Sequence, residues 1–162
     1  MSDRNLRGFV LRDGSFTLLT LVAWSVLVQR GGSAAFNVVV GLMTVVAGYL
    51  AHEWGHLIGA WTRGSAVVIP KWTSPFLFNF DVGRNSRQQF NAMAMGGFVA
   101  SIVFVVVIAA TLPMHLLASK IAATLTAIGV LATFVLEVPT AWRVFRGAPL
   151  PSQGPAFVST KP

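Results

Sequence analysis

Four long stretches of this chain, at about residues 16–28, 34–61, 91–112 and 116–142, are almost free of charge. A helix needs roughly 20 apolar residues to cross the hydrocarbon of a bilayer, so the last three are long enough and the first is short. A soluble alternative fails on composition. The 162 residues are 54% hydrophobic and 10% charged, against roughly 25% charged in an average soluble domain. The polar residues left over could not cover the exterior of a single domain of this size. Lipid is the implied solvent. The expected fold is an all-α integral membrane protein with about four transmembrane helices.

The net charge of +7 does not point to nucleic acid, because the twelve Lys and Arg fall in small groups between the apolar stretches. Arg4, Arg7 and Arg12 precede the first stretch, and Arg30 alone separates it from the second. Arg63, Lys71, Arg84 and Arg87 follow the second, Lys120 lies near the turn between the third and fourth, and Arg143, Arg146 and Lys161 close the chain. Positive charge accumulates on the cytoplasmic side. Both termini and the 64–90 loop are therefore expected in the cytoplasm, and a bacterial inner or cell membrane is the expected setting. Residues 1–33 have a rival reading as a signal peptide, since basic residues precede the apolar stretch and Ser33-Ala34-Ala35 follows it. Cysteine is absent, which excludes a disulfide framework, a thiolate-ligated metal and a cysteine nucleophile.

The second stretch carries His52-Glu53-Trp54-Gly55-His56. Residues four apart share one helix face, so the two imidazoles can bind one tetrahedral zinc. Glu53 beside them can take a proton from water at the metal. Zinc lowers the pKa of that water from about 15.7 to about 7. By chance, a chain of this length would show the pattern on the order of once in a few hundred. Three ionisable residues in five positions of a membrane span, with no other acid nearby, need a metal or a water-filled cavity.

A hydrolytic zinc site takes a third protein ligand and leaves one position open. Depth separates the candidates. At 1.5 Å per residue, His52 and His56 lie roughly 16 and 10 Å below the boundary near Arg63, and Glu137 roughly 9 Å below the boundary at Arg143. His115 sits at the opposite surface and reads as an interfacial histidine after Pro113. Asp81 is on the correct side, in a loop that could fold back. Glu137 is favoured and Asp81 is the alternative. Glu137-Val138-Pro139 also reads as a plain helix end near the headgroups.

The run His52-Glu53-Trp54-Gly55-His56-Leu57-Ile58-Gly59-Ala60 resembles the motif of the site-2 proteases, His-Glu-x-Gly-His followed by apolar and small residues. The resemblance implies a core of three spans, here most of residues 34–145, with the site in the cytoplasmic half of the membrane. It is confined to the first motif. The third span of that family usually carries Gly-Pro-x-x-Asn, where this chain has Gly96-Gly97-Phe98-Val99-Ala100-Ser101. The family's third ligand is usually an Asp in an Asp-Gly pair, and this chain has no such pair on its last span. The chain looks like a divergent, minimal member.

Residues 66–72 and 76–82 read as two extended segments about a Ser74-Pro75 turn, a short β-hairpin-like loop at the cytoplasmic interface. Phe76, Phe78 and Phe80 alternate and give one aromatic face. Its plain role is to lie on the headgroups; its functional role is an edge strand that pairs with an extended substrate. Gly41, Gly48 and Gly55 recur every seventh residue, and Gly96-Gly97 with Ala100 and Ser101 adds small residues on the third span, a close-packing signal. Met93 and Met95 read as packing. Residues 1–146 read as a single membrane-embedded domain and 147–162 as a disordered cytoplasmic tail.

The leading expectation is an intramembrane zinc metalloprotease cutting transmembrane segments of other proteins, with Glu53 as catalytic base and His52, His56 and Glu137 on the metal. Two others stand beside it. One is an inactive relative serving as a membrane assembly or regulatory protein, which has no need of Glu53. The other is a zinc hydrolase acting on lipid or a small molecule. The expected partners are the lipid bilayer and a transmembrane protein substrate, with room for a homo-oligomer or a regulatory membrane partner. Three histidines are too few for a membrane di-iron oxygenase.

Overall fold

Helix α1 (Ser2–Arg30) is longer than its apolar stretch. It continues back through Arg4, Arg7 and Arg12, since arginine is a good helix former whose charged head reaches outward. The chain, described here by a computed structural model over residues 2–151 and 156–160, is mostly helical with one small sheet. The segment left open as a short span or a signal peptide is therefore a 29-residue helix, and it packs into the fold. Phe9 is fully buried, and Trp24 Nε1 donates to Thr44 Oγ1 at 2.7 Å.

Ser33 caps helix α2 (Ala34–Thr62) by accepting from the Phe36 amide, the usual role of serine at an N-cap. Helix α2 ends in a Schellman motif: Gly64 turns left-handed at φ 60°, Gly64 N–H donates to Trp61 O and Ser65 N–H to Ala60 O. That motif needs glycine at the turn. Strands β1 (Val67–Val68) and β2 (Asn79–Asp81) follow. Ser86 and Gln89 then form a capping box at the start of α3 (Arg87–Thr111). Leu112 is extended, as the residue before Pro113 must be. Helix α4 (Leu117–Leu136) hands over to α5 (Val138–Phe145) at Glu137. Pro139, in the first turn of α5, has no N–H to continue the ladder. The fourth stretch is thus two helices with Glu137 at their joint.

Among the described residues, four helical stretches are long and apolar enough to cross a membrane: Arg4–Arg30, Ala34–Thr62, Arg87–Thr111 and Leu117–Phe145. Their outward faces are apolar, with Leu18, Ile102, Val106, Leu131 and Val135 all exposed, a surface suited to lipid and not to water. Helices α2 and α3 meet backbone to backbone. A Cβ on Gly55 or Gly59 would strike the Gly96 or Ala92 carbonyl, and one on Gly96 would strike the Gly55 carbonyl. Gly41 meets α4 at Ala118 and Ile121, and Gly48 meets the Phe104 ring. The seventh-residue glycines each seat a neighbour.

The two extended segments do pair, over fewer residues than the sequence suggests. β1 and β2 are antiparallel with Val67 opposite Phe80, and the Asn85 side chain clamps both backbone groups of Ala66 at 2.7 Å. Phe78 and Phe80 do not lie on a surface; they are buried with Leu57, Phe90 and Met93. The tail departs from expectation as well. Within the segment read as disordered, β3 (Phe157–Val158) pairs with β2 in parallel, Phe80 opposite Phe157 and Asp81 opposite Val158. The reason is local: β2 offers an unpaired edge, and Phe157 finds the Phe90 ring 6.1 Å away. Residues 152–155 and 161–162 of that tail lie outside the described residues.

Candidate metal centre

Helix periodicity brings the two motif histidines together. The Nε2 atoms of His52 and His56 are 2.9 Å apart. Glu137, at the α4–α5 joint, presents one carboxylate oxygen to each, Oε1 at 3.4 Å from His52 Nε2 and Oε2 at 3.4 Å from His56 Nε2. The three side chains form a group that could hold a metal ion.

Helix α3 fixes the protons. His52 Nδ1 faces the Gly97 carbonyl at 3.1 Å and the Ser101 hydroxyl at 2.9 Å. His56 Nδ1 faces the Met93 carbonyl at 2.9 Å. A carbonyl can only accept, so each Nδ1 carries the hydrogen and each Nε2 is left with a lone pair. In the neutral rings, two lone pairs and a carboxylate then converge on one point, a donor set suited to a cation. Backbone carbonyls behind histidine ligands are the usual means of setting tautomer and ring angle. The donor spacing suits zinc: for bonds near 2.05 Å the edge of a tetrahedron is about 3.3 Å, against 3.4 Å for both His–Glu pairs and a tighter 2.9 Å for the His–His pair.

Close approach of α3 depends on Gly97, since a Cβ there would overlap the His56 ring. The histidine side chains are 8% and 13% exposed and that of Glu137 is 42% exposed, so the centre opens on the Glu137 side. There it meets a cavity of about 280 Å³ lined by Glu53, His56, Phe76, Phe98, Glu137 and Phe157, among others. Glu53 stands at its wall, beside the metal group. Among the described residues, this is the one cluster of three His or acidic side chains with metal-binding spacing.

The alternative ligand, Asp81, is elsewhere. Its buried carboxylate accepts from the Gly83 amide at 3.1 Å, the Thr160 amide at 3.3 Å and the Thr160 hydroxyl. The Thr160 hydroxyl, with those two amides and the Arg84 charge, holds Asp81 below the usual carboxylate range. Its role is to tie the tail to the sheet. His115 is exposed at the turn between α3 and α4.

Sequence reasoning missed the support of the motif from α1. Trp54 Nε1 donates to Asp13 Oδ2 at 2.9 Å, and Arg12 Nε donates to Asp13 Oδ1 at 2.7 Å. Arg12 Nη1 also donates to the Trp72 and Ser74 carbonyls at 2.8 and 3.0 Å. Helix α1, the turn of α2 that carries the two histidines and the 64–86 loop are joined through one buried carboxylate. An acid one residue from an arginine was the available signal. Comparison with protein-family models, curated proteins and solved structures returns no match.

Proposed function

We propose that the chain is an intramembrane zinc metalloprotease of the site-2 protease kind, hydrolysing peptide bonds in transmembrane segments of other proteins. The observation that carries the reading is the convergence of His52, His56 and Glu137 on a cavity that Glu53 also lines. His52, His56 and Glu137 would hold the zinc. When bound, the ion supplies a Lewis acid that polarises a peptide carbonyl and acidifies water. A site built only for structure has no use for a fourth ionisable side chain at the same depth.

The residues divide the work by position. Glu53 takes the proton of the attacking water and delivers it to the leaving nitrogen. Met93, Gly97 and Ser101 hold the histidines in one tautomer through their Nδ1 atoms. The aromatic wall from Phe76 and Phe98 keeps bulk water away from the charged group. A helical substrate hides its peptide bonds, so it must be drawn out before cleavage, and strand pairing on β2 is a sequence-tolerant way to hold it. By the distribution of positive charge, the cavity and sheet face the cytoplasm.

The test is cleavage by the purified chain in proteoliposomes carrying a polypeptide with one transmembrane segment. Wild type should cut within that segment, and chelation should abolish cutting. Glu53→Gln should keep its zinc while losing roughly 10²–10⁴-fold in rate, the range for a lost general base. Zinc-loaded wild type that cuts no membrane segment, or residual cutting that Glu53→Gln does not change, would move the assignment to a non-proteolytic protein.

A further inference from the structure

The edge of β2 beside the metal cavity is already occupied, and by the chain's own tail. Phe80 N–H donates to Ala156 O and Val82 N–H to Val158 O, both at 2.8 Å. Ala156 and Phe157 line the cavity that also holds Glu53, His56 and Glu137. Phe157 is only partly buried, packing on the edge of the Phe90 cluster, and β3 is two residues long. The other edge of β2 is taken by β1. A foreign strand therefore reaches β2 only by taking the place of Ala156–Val158.

We propose that residues 156–160 are a displaceable strand that occupies the docking edge for an extended polypeptide, and that an incoming strand pairs with β2 where this one now lies. The proposal rests on the protease reading for the identity of the incoming chain, an unwound segment of a membrane protein, and not for the exchange itself. Three features suit a strand that must leave. It pairs with β2 over two residues. Its polar anchor, Asp81 to Thr160, is made of hydrogen bonds, and its apolar contact through Phe157 is only partly buried. Its parallel pairing is slightly weaker per residue than antiparallel pairing. Main-chain pairing accepts many sequences, so the tail sets a threshold and not a sequence preference. A tethered segment acts at an effective concentration on the order of millimolar. A free strand binding the vacated edge at about 0.1 mM would thus be weakened about tenfold by the resident tail.

The experiment uses the full chain in detergent and a fluorescent peptide with the sequence of residues 154–162, followed by anisotropy. The chain has no cysteine, so Asn79→Cys with Ala156→Cys introduces a single pair. These positions face each other by extension of the register, on strands about 4.8 Å apart, within disulfide range. Oxidised, this variant should lose peptide binding at least tenfold, and reduction of the same sample should restore it. Phe157→Glu, which frees the tail from the Phe90 cluster, should bind the peptide about tenfold more tightly than wild type. Equal binding by the oxidised and reduced forms would overturn the proposal. Weaker binding by Phe157→Glu would also overturn it, because the tail would then be a platform for the partner strand. Hydrolysis is not the readout. A chain that exchanges strands without cutting them sinks the protease reading alone, and one that cuts without exchanging sinks this one alone.

Discussion

His52 Nε2 lies 2.9 Å from His56 Nε2 while both Nδ1 atoms are committed to backbone carbonyls of α3. Held this way, two neutral imidazoles and the Glu137 carboxylate offer three donors to one cation. Zinc content per detergent-purified chain should therefore separate the ligands from their neighbours. We expect one zinc in wild type, Glu53→Gln and Asp81→Ala, and loss of it in His56→Ala and Glu137→Ala. Full zinc in Glu137→Ala would remove the third ligand; zinc lost in Asp81→Ala would return that role to the sheet.

Gly97 places a second constraint on the same pair. Any Cβ at this position would overlap the His56 ring, and the neighbour to be moved is a proposed ligand whose angle is set by the Met93 carbonyl. Gly97→Ala should weaken zinc binding by 10–100-fold, the usual range for a displaced ligand support. Gly129→Ala is the comparison. Its Cβ meets nothing within 4 Å, and removing a mid-helix glycine should stabilise α4 by roughly 0.5–1 kcal/mol. Competition with a chelator of known affinity measures the first, and thermal unfolding in detergent the second. Equal zinc affinity in both variants would show that His56 can turn without cost.

Trp54 adds an orientation requirement on the other side of the motif. Its indole N–H donates to Asp13, which is 5% exposed and also bound by Arg12. Trp54→Phe keeps the ring and removes the donor, leaving a buried acceptor short of a partner at a cost of about 1–3 kcal/mol. Asp13→Ala should cost more, because it strands both the indole N–H and the Arg12 guanidinium that reaches the Trp72 and Ser74 carbonyls. Chemical unfolding in mixed micelles gives the ranking. A Trp54→Phe midpoint equal to wild type would mean that water replaces the lost donor.

The long apolar helices and the grouping of His52, His56 and Glu137 were legible because each follows from a strong local rule. Apolar length marks the helices, helical spacing pairs His52 with His56, and depth below the boundary puts Glu137 level with them. The sheet was half legible. Alternating Phe76, Phe78 and Phe80 mark an extended segment, but the pattern alone does not say whether the aromatic face meets lipid or protein, and here Phe78 and Phe80 are buried. β3 was not legible. A two-residue strand after a stretch rich in proline has no periodicity to read, and it exists because β2 lies beside it with an open edge. The joint at Glu137 was legible in Pro139, whose effect on the helix ladder is fixed by its missing N–H. The link from Asp13 to Trp54 spans 41 residues and depends on how α1 packs, which single-helix patterns do not contain.

Asp81 makes the attachment of the tail depend on pH in a defined sense. Its carboxyl is held below its ordinary value, chiefly by the Thr160 hydroxyl, helped by the Thr160 and Gly83 amides and by the charge of Arg84. A carboxyl with a depressed folded-state pKa contributes stability that is complete above its unfolded value, about 3.9, and is lost as pH falls through the folded value. The tail should thus stay paired from neutral pH down to about 4 and loosen below it. Amide exchange at Phe80 and Val82 reports this directly, since both N–H groups donate to tail carbonyls. Protection factors corrected for intrinsic rates should be flat across that range and fall beneath it. In Asp81→Asn, which keeps an acceptor and loses the charge, they should be lower and independent of pH. A midpoint above about pH 5 in wild type would assign the transition to another group, and flat protection through the acid range would mean that strand pairing holds the tail without the carboxylate.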